Sequence, residues 1–288
     1  MNLLKLFLGL IFFSAAAALS TMQVGCTKTV TEYVHDTTTV VHKDTVVVVN
    51  TDTVTVVDSV YDLQDGLVAW YSFNNGSLND SSGYGNHITF SNATPTADRF
   101  GHANNAYLFD GVNSYMTVAD NPTLSPTVLT IMAIVKFNGF NTGICHFSQI
   151  LMKGSQDQDQ GVYGIRVIGG DGSCQAQLDT STQRFNASFG DYGNTASTFG
   201  LNYYAHTNTW VNYVFTYDGK KSCDYINGQL SSTHDDSAFF HPNGYNIYIG
   251  KTQNPTYPYI FNGVIDEIRI YNRPLSAGAV KQLSQLAN

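Results

Sequence analysis

Carboxylates are the residues of this chain whose spacing could support chemistry. A retaining glycosidase holds two of them about 5 Å apart across the scissile bond. Three close pairs are present: Asp157/Asp159, Asp235/Asp236 and Asp266/Glu267. The first two sit in polar, loop-like surroundings that suit solvated turn residues. The third lies in FNGVIDEIRIYNRPL, residues 261–275, which alternates like a terminal strand. On that alternation Val264, Asp266, Ile268 and Ile270 share one face, and Ile265, Glu267, Arg269 and Tyr271 share the other. Asp266 and Glu267 are therefore expected to point opposite ways and to make a poor catalytic pair. Glu267 can pair with Arg269 on its own face. That leaves Asp266 as an acid on an apolar face, which is costly unless a cation or strong donors meet it.

Other chemistry is thin. The loop DSSGYGN, residues 80–86, gathers oxygen donors around glycines. Such donors suit a hard cation such as Ca²⁺, and equally an Asx-type turn. No G-x-S-x-G, H-E-x-x-H or P-loop pattern occurs, and the eight His residues are scattered. The chain is expected not to be an enzyme. Cys145, Cys174 and Cys223 show no metal-ligand spacing, so structural roles are expected, with at most one disulfide among three pairings.

The elements that must position these residues read as strands. Aromatics make up 13% of the chain and charged residues only 12%. From Leu63 onward short alternating stretches are broken by Gly, Asn and Asp: 67–73, 115–118, 129–137, 163–168, 211–217, 224–226, 247–249 and 264–271. Many strands without intervening helices predict an all-β antiparallel sandwich or barrel. Asp218-Gly219 and Asn227-Gly228 are hairpin signals. One helix is predicted over 277–286, with Ser276 as its N-cap. The formal charge of -8 and the lack of a basic stripe argue against a nucleic-acid partner.

The N-terminus predicts export. Lys5 precedes an apolar run from Leu6 to Leu19, too short for a membrane span and followed by a polar segment. Cys26 after Gly25 resembles a bacterial lipobox, so residues 1–25 are expected to be a lipoprotein signal peptide and Cys26 the lipidated N-terminus. Residues 26–62 then carry an eight-residue repeat with Asp-Thr at its centre and Val-Val at its end. β-Branched density disfavours helix, and no Gly or Pro supplies a turn, so an extended stalk reaching on the order of 100 Å is expected. Its Asp-Ser/Thr-aliphatic triplets resemble Bacteroidetes O-glycosylation acceptors, with Thr37, Thr45, Thr53 and Ser59 as the modified residues.

The domain from 63 to 288 resembles a known family. Gly66-Leu67-Val68-Ala69-Trp70-Tyr71-Ser72-Phe73, the 80–86 loop, Phe109-Asp110-Gly111, the hairpin from Trp210 to Gly228 and the 261–275 stretch are similar to a LamG-like jelly roll. This is the concanavalin A-like lectin/glucanase superfamily. The resemblance implies a structural Ca²⁺ joining the loop to the last strand, held by Asp80, the Gly83 carbonyl, Asn86 and Asp266. It also implies a carbohydrate-binding surface. Tyr203, Tyr204, His206, Phe240, His241, Tyr257 and Tyr259 are loop-like residues that could line it or pack beneath long loops. The expectation is a non-catalytic lipoprotein, anchored to a bacterial outer membrane or cell surface, that binds an extracellular glycan. The alternative is an adhesion module that binds a surface protein.

Overall fold

The computed structural model describes residues 38–42, 45–50, 53–57, 61–141, 146–154, 160–169, 183–191 and 194–286, with backbone alone for 38–57 and 194–203. The chain divides into two compact units, Met1–Tyr61 and Asp62–Asn288.

In the first unit, β1 (Thr38–His42), β2 (Thr45–Asn50) and β3 (Thr53–Val57) pair as an antiparallel meander. The pairs His42↔Thr45 and Asn50↔Thr53 close its two hairpins, so the octad period is that of one strand plus its connection. This corrects the expectation of a single extended stalk over these residues. A lone extended segment leaves its backbone groups to water, whereas consecutive repeats provide each other with paired edges. Cys26, the export signal, Thr37 and Ser59 lie outside the described residues. Thr45 and Thr53 are the first residues of β2 and β3.

The second unit is a sandwich of two antiparallel sheets. Its early strands are β4 (Leu67–Tyr71), β5 (Ile88–Ser91), β6 (Thr94–Thr96), β7 (Ala106–Asp110), β8 (Met116–Val118) and β9 (Leu129–Gly139). Then come β10 (Ser148–Lys153), β11 (Val162–Ile168), β12 (Arg184–Asp191), β13 (Asn194–Tyr204) and β14 (Trp210–Tyr217). The last are β15 (Lys221–Ile226), β16 (Gln229–Asp235), β17 (Ile247–Ile249) and β18 (Asn262–Tyr271), before helix α1 (Ala277–Ser284). One sheet runs β13-β12-β11-β10-β17-β8-β5, and the other β16-β15-β14-β9-β18-β7-β6 with β4 also paired to β18. The predicted hairpins lie at β14–β15 and β15–β16. Ser276 caps α1, its hydroxyl accepting from the Ala279 amide at 3.3 Å.

The facing strands meet through aromatic rings. Phe137 lies 5.1 Å from Phe261 and 6.0 Å from Phe185, edge-on to both, and Phe185 stacks on Tyr213 at 4.6 Å. These rings are fully buried, and such pairs add to the area they remove from water. Cys223 is a half-buried free thiol, so it makes no disulfide. Cys145 and Cys174 lie outside the described residues.

The turn after β7 has an acid-sensitive lock. Asp110 Oδ1 accepts the amides of Val112, Asn113 and Ser114, each at 2.9 Å. Burial pushes the Asp110 carboxyl up, but these bonds outweigh it and hold the pKa at about 2, below the ordinary 3.8. A depressed folded pKa gives stability that is present above the unfolded value and lost as pH falls through the folded one. The melting temperature is therefore expected to fall between pH 3.8 and about 2. Asp110→Asn should flatten that limb in thermal melts at graded pH.

Candidate binding site

The terminal strand positions a buried charge network in place of the expected metal site. The register between β18 and β9 shifts between Ile265 and Glu267, so Asp266 is the extra residue of a β-bulge. Ile265, Ile268 and Ile270 consequently share the inter-sheet core, whereas strict alternation assigned Ile265 to the opposite face. The bulge also changes the reading of the acidic pair. Arg99 Nη1 lies 2.8 Å from Asp266 Oδ2 and 3.9 Å from Glu267 Oε2, so both carboxylates approach one guanidinium. They do not diverge as the alternation suggested. Both are buried, with Asp266 0% and Glu267 1% exposed, which leaves no open face for a substrate.

The expected partner of Asp266 is corrected accordingly. Its Oδ2 accepts from the Arg99 amide at 3.1 Å as well as from the guanidinium. Asp80 is committed elsewhere. Its Oδ1 accepts the amides of Trp70 at 2.9 Å and Ser82 at 2.8 Å, and its Oδ2 accepts from Ser82 Oγ at 2.7 Å and the Asn86 amide at 3.0 Å. Gly83 takes the positive φ of 93° that the turn requires. Asn86 Nδ2 donates to the Val68 carbonyl at 2.7 Å, while its Oδ1 is a buried oxygen without a hydrogen-bond donor. Among the described residues no three His, Cys, Asp or Glu side chains come close enough to hold a metal ion. As arranged, Asp80, Gly83, Asn86 and Asp266 do not fit a shared Ca²⁺ site, because the charge of Asp266 is already answered by Arg99.

Loop and strand are nevertheless joined, through Trp70. Its amide donates to Asp80, its indole Nε1 donates to Glu267 Oε1 at 2.8 Å, and Arg269 lies over its ring at 4.3 Å. Arg269 Nε in turn meets Glu267 Oε1 at 2.6 Å, the pairing that the sequence predicts. A clasp made of an indole and guanidinium groups should ignore chelators. The melting temperature is expected to be unchanged by EDTA, and a rise of several degrees on adding Ca²⁺ would restore the metal reading.

The aromatic residues singled out from sequence fall into three separate places. Tyr204 is exposed at the end of β13, where its hydroxyl accepts from Arg184 Nη2 at 2.9 Å. His206 is exposed just beyond it, and Tyr203 lies in β13. Phe240 stacks on Phe189 at 4.7 Å and 7°, packing beneath its loop. The exposed His241 ring is paired with the Asp191 carboxylate, which also accepts the His241 and Gly161 amides. Burial raises the Asp191 pKa, but these bonds bring it below the ordinary value. Tyr259 is buried against Phe147 at 4.9 Å, and Tyr257 stacks beside it at 6.2 Å. Phe240 and Tyr259 are therefore packing residues, and the described members of the set do not form one surface.

A different set forms one. Tyr248 on β17 pairs in register with Thr117 on β8, which pairs with Phe90 on β5. These residues lie opposite the core-facing Ile247, Ile249, Met116 and Val118, on the outer face of the seven-stranded sheet. Tyr115, just before β8, joins them. Its ring lies 4.9 Å from Phe90 and 6.1 Å from Tyr248, each at a 33° tilt. Phe90 is 43% exposed. Lys251 Nζ stands 3.6 Å from the Tyr115 ring centre and 5.4 Å from that of Tyr248. Plain alternation puts Phe90 on the same face as the buried Ile88, but a register shift between them turns it outward. That bulge conceals the strip from a sequence reading, although the strands of Tyr115 and Tyr248 are visible in it.

Two antiparallel sheets closing on one aromatic-rich core, with an open aromatic face outside, define a jelly-roll sandwich. The chain belongs to the concanavalin A-like lectin/glucanases superfamily, whose laminin-G-type profile matches residues 109–281, more than half of the sequence. No curated protein matches. Among solved structures, domain 4 of AbnA, a GH43 extracellular arabinanase from Geobacillus stearothermophilus in complex with arabinotriose, is similar. It is 20% identical with a TM-score of 0.54, over 76% of this chain and 98% of that one. The binding domain of Paraclostridial Mosquitocidal Protein 1 is 17% identical (TM-score 0.56), over 77% of this chain and 52% of its own. The botulinum neurotoxin serotype D binding domain is 14% identical (TM-score 0.56), also over 77% and 52%. The chain thus spans about half of these toxin domains, and at such identities the likeness carries the fold alone.

Proposed function

We propose that this protein is a non-catalytic, exported carbohydrate-binding module, held at a bacterial surface by a lipidated Cys26. The observation that carries the binding is the strip of Phe90, Tyr115 and Tyr248. Rings side by side on a sheet face suit the apolar CH faces of a sugar, and neighbouring amide and hydroxyl groups suit its hydroxyls. A similar fold in complex with arabinotriose supports the reading by analogy. Burial of Asp266 and Glu267 supports the absence of a catalytic role for that pair.

Calorimetry of the full chain against a panel of plant and microbial oligosaccharides tests the proposal. At least one should bind, and Tyr248→Ala should weaken it tenfold or more, about 1.4 kcal/mol, while the variant stays folded in thermal melts. Binding of proteins alone, or saccharide binding that Tyr248→Ala leaves intact, would contradict it.

A further inference from the structure

Lys251 is the feature of the strip that a neutral sugar does not need. It follows Gly250, whose φ of 85° lets the chain turn sharply after β17. A Cβ there would lie 2.4 Å from the Phe109 ring, so glycine is required and the exit path of the chain is set. The turn delivers the ammonium over the middle ring of the strip, where two tyrosine faces attract it.

Aromatic faces only partly replace the water that a half-buried ammonium gives up. Lys251 makes no ion pair among the described residues. Burial lowers its pKa, and among the described residues no carboxylate acts to raise it again. The contrast with Lys153 is informative. That lysine is fully buried at the end of β10, the central strand of the same sheet, yet it pairs with Asp120 and donates to the Tyr245 carbonyl at 2.6 Å. In a chain of formal charge -8, a cation fixed on an open aromatic face, with no acidic partner among the described residues, is an anion-accepting position.

Resting on the carbohydrate-binding reading, we propose that the strip selects anionic saccharides, with the ligand's carboxylate or sulfate on Lys251 Nζ and its sugar rings on Tyr115, Tyr248 and Phe90. A ligand lying along the strip must pass the ammonium. A neutral sugar only displaces it, whereas an anionic one gains a charge-assisted hydrogen bond. The tyrosines supply affinity for sugar faces in general, and Lys251 supplies the choice among them.

Matched pairs test this by calorimetry at low and physiological salt: oligogalacturonate and its methyl ester, glucuronoxylan and xylan fragments, and sulfated and desulfated galactan fragments. At least one anionic member should bind tenfold or more tighter than its neutral twin. Higher salt should shrink that ratio. Lys251→Met keeps the stem and should bring the ratio near one by weakening the anionic member, whereas Tyr248→Ala should weaken both members. The uronate and sulfate arms identify which anion is read. Equal binding of the twins, or an unchanged ratio in Lys251→Met, overturns the anionic selection and leaves the aromatic platform standing. Failure of every saccharide to bind overturns the platform as well.

Discussion

Replacing Arg99 with Met is expected to cost about 3–5 kcal/mol of folding stability, because it strips the guanidinium from two buried carboxylates. Asp266 is 0% exposed and meets Arg99 through both its side chain and its amide. Burial first, and Glu267 beside it, hold the Asp266 carboxyl above its ordinary value despite Arg99. The ion pair therefore does not fully offset its own desolvation. Two consequences separate loss of the ion pair from simple loss of packing. The double variant Arg99→Met/Asp266→Leu should recover most of the loss, since Asp266 is then gone and Glu267 keeps Arg269 and the Trp70 indole. The deficit should also depend on pH. A group with a raised folded pKa contributes most at low pH, and its contribution declines as pH rises through that value. Without Arg99 that pKa rises further, so the Arg99→Met deficit should be smaller at mildly acidic pH than at neutral pH. Urea melts across that range check both points, and a deficit independent of pH would count against the network.

Trp70→Ala is expected to cost about 3 kcal/mol, the lower end for a large aromatic because the ring is only half-buried. The loss combines packing, the contact with Arg269 and the hydrogen bond to Glu267 Oε1. Trp70→Phe isolates the last of these and should cost about 1.5–3 kcal/mol, the range for hydrogen bonds to charged groups. If Trp70→Phe proves neutral while Trp70→Ala is costly, the indole is a packing residue and the clasp fails.

Alternation made β18 and the hairpins at Asp218 and Asn227 legible, because strand period and turn chemistry are local. What the sequence concealed was non-local or turned on a single residue. One extra residue at Asp266 moves everything on one side of it to the other face, so an acid that seems to sit in the core belongs to a bulge. The same slip in β5 hides Phe90. Arg99, 167 positions from Asp266, lies in a loop with no periodicity to announce it. Trp70 stands in the family signature, but nothing local shows where its indole N–H points. In the repeat, the eight-residue period was visible and its hairpins were not, since no Asn-Gly or Gly-Gly marks them.

A crystal structure with a bound oligosaccharide tests most directly whether sugars are read by the outer face of the seven-stranded sheet. A sugar ring should pack face-on against Tyr248 or Tyr115, with an anionic substituent within about 3 Å of Lys251 Nζ. A saccharide seated instead at Tyr204, or over the loop of Phe240 and His241, with the strip bare, would contradict that reading.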